Sequence, residues 1–127
     1  MAFAEIATLT YTNGLIFTVH CLKHNDQYLF AYGGNDKKLY ICNSKGELIK
    51  TIEGAHTNQI QSIASRGKFI ATGSTDATVK LWDIESDFAL VQTLATEDHY
   101  FTTYCCFLSN GDIVSASASK HICIWDS

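Results

Sequence analysis

Two Trp-Asp pairs, Trp82-Asp83 and Trp125-Asp126, lie 43 residues apart and close two similar stretches of sequence. Self-similarity at a period of about 20 to 50 residues is the mark of a repeat architecture, in which each unit buries its apolar face against the next. The first stretch reads GAHTNQIQSIASRGKFIATGSTDATVKLWD and the second TEDHYFTTYCCFLSNGDIVSASASKHICIWD. A histidine stands 26 residues before each tryptophan, as His56 and His99, and a hydroxyl stands ten before it, as Thr72 and Ser115. Such joint spacing commits the chain to repeated units of one design.

A degenerate third copy lies upstream. Asp36 to Asn43 aligns with Asp76 to Asp83, which puts Cys42 at the tryptophan position after a step of 40 residues. Further back, Ile16-Phe17-Thr18-Val19 matches Ile60-Gln61-Ser62-Ile63 if a longer loop is allowed at Lys23 to Gln27, and Thr12 then falls at the histidine position. Tyr32 takes the hydroxyl position.

Each unit reads as four short strands separated by turn signals. In the middle unit these are Gln59 to Ala64, Lys68 to Ser74, Thr78 to Asp83 and Ala89 to Leu94. Arg66-Gly67 and Asn110-Gly111 suit tight hairpins that need positive φ. The absence of proline leaves every strand able to pair on both edges. No stretch keeps a long helical period, so the fold class is all-β.

Composition excludes several classes of function. The chain is 46% hydrophobic and 17% charged, which fits a folded chain. A net charge of −4 without a basic cluster argues against nucleic-acid or anionic-membrane binding. The apolar runs are too short to span a membrane, and Glu5 with no basic flank argues against a secretory signal. Five cysteines in strand-like segments read as reduced thiols, pointing to the cytoplasm or nucleus.

These units resemble the WD-repeat family of β-propellers over almost the whole chain. That resemblance implies four-stranded antiparallel blades, with strands a to d running outward from a central channel. It implies a hydrogen-bonded structural tetrad of His56, Thr72, Asp76 and Trp82, because an indole N–H, a hydroxyl, an imidazole and a carboxylate buried together must satisfy one another. The third unit keeps His99, Ser115 and Trp125 but has Ser119 for the aspartate, which should weaken its network. The first keeps only Asp36 and should lean on packing instead.

Strand counting gives the order d-abcd-abcd-abc. Residues 4–10 are a closing d strand, and the units cover about 11–52, 53–95 and 96–127. Three blades fall short of the roughly 4 to 8 that close a propeller. Both end blades then expose apolar faces and unpaired edges. A homodimeric six-bladed ring, a piece of a longer propeller, and an arc capped by another protein all satisfy that need.

Catalysis and metal binding are weak candidates. His56, Thr72 and Asp76 superficially offer base, nucleophile and acid, but the set recurs by spacing, and catalytic sites are singular. His20-Cys21 with His24 and vicinal Cys105-Cys106 lack paired metal-ligand spacing, and neighbours on a strand face opposite ways. No cofactor, metal or catalytic residue is therefore expected. The family resemblance instead implies a non-enzymatic scaffold binding other proteins through its d-to-a and b-to-c loops. Those loops carry Asn35, Asn58, Thr75, Tyr100, Phe101 and Ala118, with adjacent aromatics at 100 and 101 as a candidate hot spot.

Overall fold

A computed structural model describes residues 2–95 and 104–127. Among these residues eleven strands form three antiparallel sheets. The first sheet runs β1 (Ile16–His24), β2 (Gln27–Gly34), β3 (Leu39–Asn43) and β4 (Leu48–Ile52) in sequence order. The second runs β5 (Ile60–Arg66), β6 (Phe69–Ser74), β7 (Thr78–Asp83) and β8 (Ala89–Ala95), with a 3-10 turn at Ile84–Ser86. The third holds β9 (Tyr104–Phe107), β10 (Ile113–Ala116) and β11 (Ile122–Trp125). Inner strands β1, β5 and β9 lie side by side, so the sheets stack as successive blades.

Period-2 alternation makes every sheet two-faced. On β2 and β3, Leu29, Ala31, Leu39 and Ile41 turn toward the second sheet, where Ile60, Ile63, Ile70 and Trp82 complete the largest core cluster. On β6 and β7, Ala71, Val79 and Leu81 face the third sheet and meet Cys105, Phe107, Ile113 and Trp125. The blades approach closely at Gly33, where an added Cβ would stand 3.0 Å from the Ile60 side chain.

Irregularities repeat with the strands. A bulge between Ile16 and Thr18 recurs between Ile60 and Ser62, and another between Ile41 and Cys42 recurs between Leu81 and Trp82. The first of these puts residues three apart, Ile60 and Ile63, on one face. Lys37 and Ala77, at matching turn positions, both hold φ 70°.

Three expectations change. The loop anticipated at Lys23 to Gln27 is absorbed into longer strands, since His24 pairs with Gln27 across a two-residue turn. Asn25 and Asp26 both have positive φ there, the mirror-image turn that matches strand twist. Residues 4–10, expected as a closing d strand, carry no strand pairing among the described residues, while the third sheet has the three strands expected of an abc unit. A strand needs an edge to bond to, and the c strand it would join, β11, belongs to the blade at the other end of the stack. The first blade, expected to lean on packing alone, has a polar network of its own.

Candidate functional site

In the second sheet, strand positions bring His56, Thr72, Asp76 and Trp82 together. Trp82 Nε1 donates to Thr72 Oγ1 at 2.9 Å, and Thr72 Oγ1 lies 2.7 Å from His56 Nε2. His56 Nδ1 lies 2.8 Å from Asp76 Oδ2. The donor inventory fixes the direction. The Asp76 carboxylate only accepts, so Nδ1–H donates to it; in that neutral tautomer Nε2 accepts from the Thr72 hydroxyl, whose oxygen accepts from the indole. Thr72 is fully buried and His56 nearly so.

Asp76 ends this relay and organises the turn above it. Its Oδ1 accepts from the Thr78 N–H and hydroxyl, and its Oδ2 also accepts from the Thr57 N–H. Burial works to raise its pKa, but the bonds from His56, Thr78 and Thr57 outweigh that and hold the carboxyl well below the usual carboxylate range.

The third blade keeps part of the relay. Trp125 Nε1 donates to Ser115 Oγ at 2.8 Å. Ser119 takes over the turn role of the missing aspartate: its Oγ accepts from the His121 N–H, as Asp76 accepts from Thr78. Its own N–H donates to Ser117 Oγ, as Asp76 N–H does to Ser74 Oγ. His99, Tyr100 and Phe101 lie outside the described residues.

The first blade substitutes a different set. Asp36 Oδ2 accepts from the Thr12 hydroxyl at 2.6 Å and the Tyr40 hydroxyl at 2.5 Å, and its Oδ1 accepts from the Lys38 N–H. Tyr40 stacks on Tyr32 with ring centroids 5.0 Å apart, and both pack on Cys42 at the tryptophan position. Burial, and then the neighbouring Cys42, push the Tyr32 phenol well above its ordinary pKa. Sequence reasoning missed Tyr40; its place at the Lys80 position, opposite the hydroxyl position, was the available signal.

The loops above these networks are tied together. His56 N–H donates to Lys37 O, joining rim loops of neighbouring blades, and Thr75 N–H donates to Gln59 O. Asn58 and Ala118 are exposed on this rim, and Thr75 is half-buried. Asn35 is partly committed to structure, because its Oδ1 accepts from the Leu15 N–H at 2.7 Å. The Trp-Asp aspartate has a local role of its own: Asp83 Oδ1 accepts from the Glu85 N–H and caps the 3-10 turn.

The Thr72 hydroxyl that a catalytic reading would need is sealed from solvent and shared by two partners. Among the described residues no three His, Cys, Asp or Glu side chains converge as a metal site. His20 Nε2 instead lies 2.8 Å from Ser65 Oγ, and His24 pairs with Glu85 at 3.8 Å. Burial raises Cys105 to about 11, the opposite of a reactive thiol. Among the described residues no helix is long and apolar enough to cross a membrane.

Comparison with known proteins agrees with this geometry. The family profile described as "WD domain, G-beta repeat" matches residues 46–83 and 89–126. The chain is 30% identical over 109 residues to the target of rapamycin complex subunit wat1 of Schizosaccharomyces pombe, covering 84% of this chain and 34% of that protein. It is 33% identical over 75 residues to the nuclear distribution protein PAC1 of Tuber melanosporum, covering 58% and 16%. The chain thus spans about a third or less of these relatives. Among solved structures, the WD40 β-propeller domain of Doa1 superposes with a TM-score of 0.78 at 23% identity, over 91% of this chain and 38% of that one. A humanized mutant of the Chaetomium thermophilum Polycomb Repressive Complex 2 gives 0.81 at 24% identity, over 91% and 27%. WD40 propellers generally mediate protein–protein interaction and are generally not enzymes. With the family profile covering more than half of its length and its sheets stacked as propeller blades, the chain belongs to the WD domain, G-beta repeat family.

Proposed function

We propose that the chain is a non-enzymatic scaffold that holds a protein partner on the loop rim carrying Asn35, Asn58, Thr75 and Ala118, with Tyr100 and Phe101 as further contacts read from the sequence. The observation that carries this reading is the bonding of the rim to the buried relay. His56 and Asp76 anchor the loops from below, and the Lys37–His56 backbone bond links one blade's loop to the next. Loops already ordered lose little entropy on binding. His56, Thr72, Asp76, Trp82, His99, Ser115 and Trp125 are structural supports in this reading. Five free cysteines support a reducing compartment, the cytoplasm or nucleus. The test compares partners recovered by the native chain with those recovered by Asn58→Ala/Thr75→Ala and Tyr100→Ala/Phe101→Ala variants of unchanged circular dichroism. Loss of a specific partner is expected. Recovery of every partner by both variants overturns the reading.

A second reading is favoured by the end blades. Val19 on β1 is 64% exposed, and Ile122 and Ile124 on β11 are 70% and 67% exposed. In this reading the chain completes a ring with further blades, from another copy or from a longer propeller.

A further inference from the structure

We infer that Asn13 is a site of spontaneous deamidation, assisted by the Thr12 hydroxyl and the Asp36 carboxylate, whose isoaspartate product unties Asn35 from the first blade. The site lies beyond the scaffold reading, and only its effect on partner binding rests on that reading.

The chain has two Asn-Gly pairs, Asn13-Gly14 and Asn110-Gly111. A glycine nitrogen with no neighbouring Cβ is open to the side chain before it, so this dipeptide is where a cyclic imide closes most readily. In that step the glycine nitrogen bonds to the asparagine Cγ, the bond from Cγ to the amide nitrogen breaks, and ammonia leaves. Water then opens the imide. Opening at Cγ gives aspartate. Opening at the backbone carbonyl gives isoaspartate, in which the main chain runs through Cβ and Cγ.

The structure holds the two pairs differently. Asn110 is fastened at both amide atoms: its Nδ2 donates to Asp112 Oδ2 at 2.8 Å, and its Oδ1 accepts from the Asp112 N–H at 3.1 Å. The Gly111 N–H donates to the Leu108 carbonyl, which has no proton of its own to pass on. Asn13 is exposed, and no such bond fastens its amide among the described residues. The Gly14 N–H donates to Thr12 Oγ1 at 3.1 Å, and the Thr12 hydroxyl donates to Asp36 Oδ2 at 2.6 Å. A proton leaving Gly14 as its nitrogen attacks therefore meets a hydroxyl backed by a carboxylate. Burial works to raise the Asp36 pKa, but the bonds from Thr12, Tyr40 and the Lys38 N–H outweigh it. The carboxyl is held below its ordinary value and is ionised at neutral pH.

Tight packing turns one added atom into a rearrangement. A Cβ on Gly14 would stand 2.1 Å from Asn35 Oδ1, and a Cβ on Gly34 would stand 1.7 Å from the Leu15 carbonyl oxygen. Two bonds cross this contact, from Leu15 N–H to Asn35 Oδ1 at 2.7 Å and from Asn35 N–H to Leu15 O at 3.0 Å. Isoaspartate in place of Asn13 lengthens the main chain by one carbon just before Gly14, where the packing leaves no slack. Both bonds are lost and Asn35 is freed. The aspartate product keeps the native main chain and both bonds.

The experiment ages the native full chain in mildly alkaline buffer made with heavy-oxygen water, then maps the digested peptides by mass. Label should enter at Asn13 about tenfold faster than at Asn110, whose two side-chain bonds must break first. Thr12→Ser keeps the hydroxyl and should age like the native chain. Thr12→Val of unchanged circular dichroism should age severalfold more slowly at Asn13 and unchanged at Asn110. Amide hydrogen exchange at Leu15 and Asn35 should quicken in the aged chain and stay slow in Asn13→Asp. Equal or faster labelling at Asn110, native-rate labelling of Thr12→Val, or unchanged exchange in the aged chain overturns the inference. None of these readouts involves a partner, so they stand or fall apart from the rim. Recovery of every partner by both rim variants overturns the scaffold reading alone.

Discussion

His56 Nε2 and Thr72 Oγ1 lie 2.7 Å apart, the contact that joins Trp82 to Asp76 in the second blade's buried network. Because the Asp76 carboxylate can only accept, a neutral His56 carries its proton on Nδ1 and takes the Thr72 proton at Nε2, while the Thr72 oxygen accepts from Trp82. The relay spans three segments of the chain and links the core to the rim.

Replacing the threonine tests the relay. Thr72→Val keeps the shape but leaves the Trp82 N–H and His56 Nε2 buried without partners, and should cost about 2–3 kcal/mol. Thr72→Ser keeps the hydroxyl and should cost under about 1 kcal/mol. Urea unfolding of both variants measures the difference.

The two tryptophans should not be equal. Trp82 is buried between two blades, and Trp82→Ala should cost about 3–5 kcal/mol. Trp125 makes the same bond to a hydroxyl but is only half-buried, so Trp125→Ala should cost clearly less. Parallel chemical denaturation curves decide this.

Acid should weaken the fold through Asp76. A carboxyl held low in the folded state contributes its full stability above the unfolded value of about 4, and loses it as pH falls toward the depressed folded value. Melting temperature should therefore drop below about pH 4, and Asp76→Asn should flatten that part of the profile while lowering stability at neutral pH. Thermal melts from pH 7 to 2 give both curves.

Backbone strain offers a gain. Ala77 and Lys37 hold φ 70° with a Cβ attached. Glycine adopts that region freely, so Ala77→Gly or Lys37→Gly should stabilise by about 0.5–1 kcal/mol. A higher urea midpoint at unchanged slope is the expected result.

Particular residues show how much was legible beforehand. The spacing from His56 through Thr72 to Trp82 located the relay because strands hold residues at fixed offsets, and Thr78–Asp83 forms a strand over the span read from sequence. The loop at Lys23 to Gln27 was misjudged because two extra residues on each side of a hairpin extend both strands as readily as they lengthen a loop. The first blade's network was hidden because Tyr40 reaches Asp36 from a strand position that holds Lys80 in the second blade, so no shared motif announced it.

The Trp-Asp repeat by itself determined the blade design: alternation sets which residues share a face, and turn residues set where strands reverse. Both are local properties, written within a few residues of each other. Tertiary structure alone decided what those faces meet. It packed Ile41 and Leu81 against the next blade, left Ile124 bare, and left residues 5–10 beside the first blade without an edge to join. Strand pairing and burial are completed by segments far apart in sequence, which a local repeat does not encode.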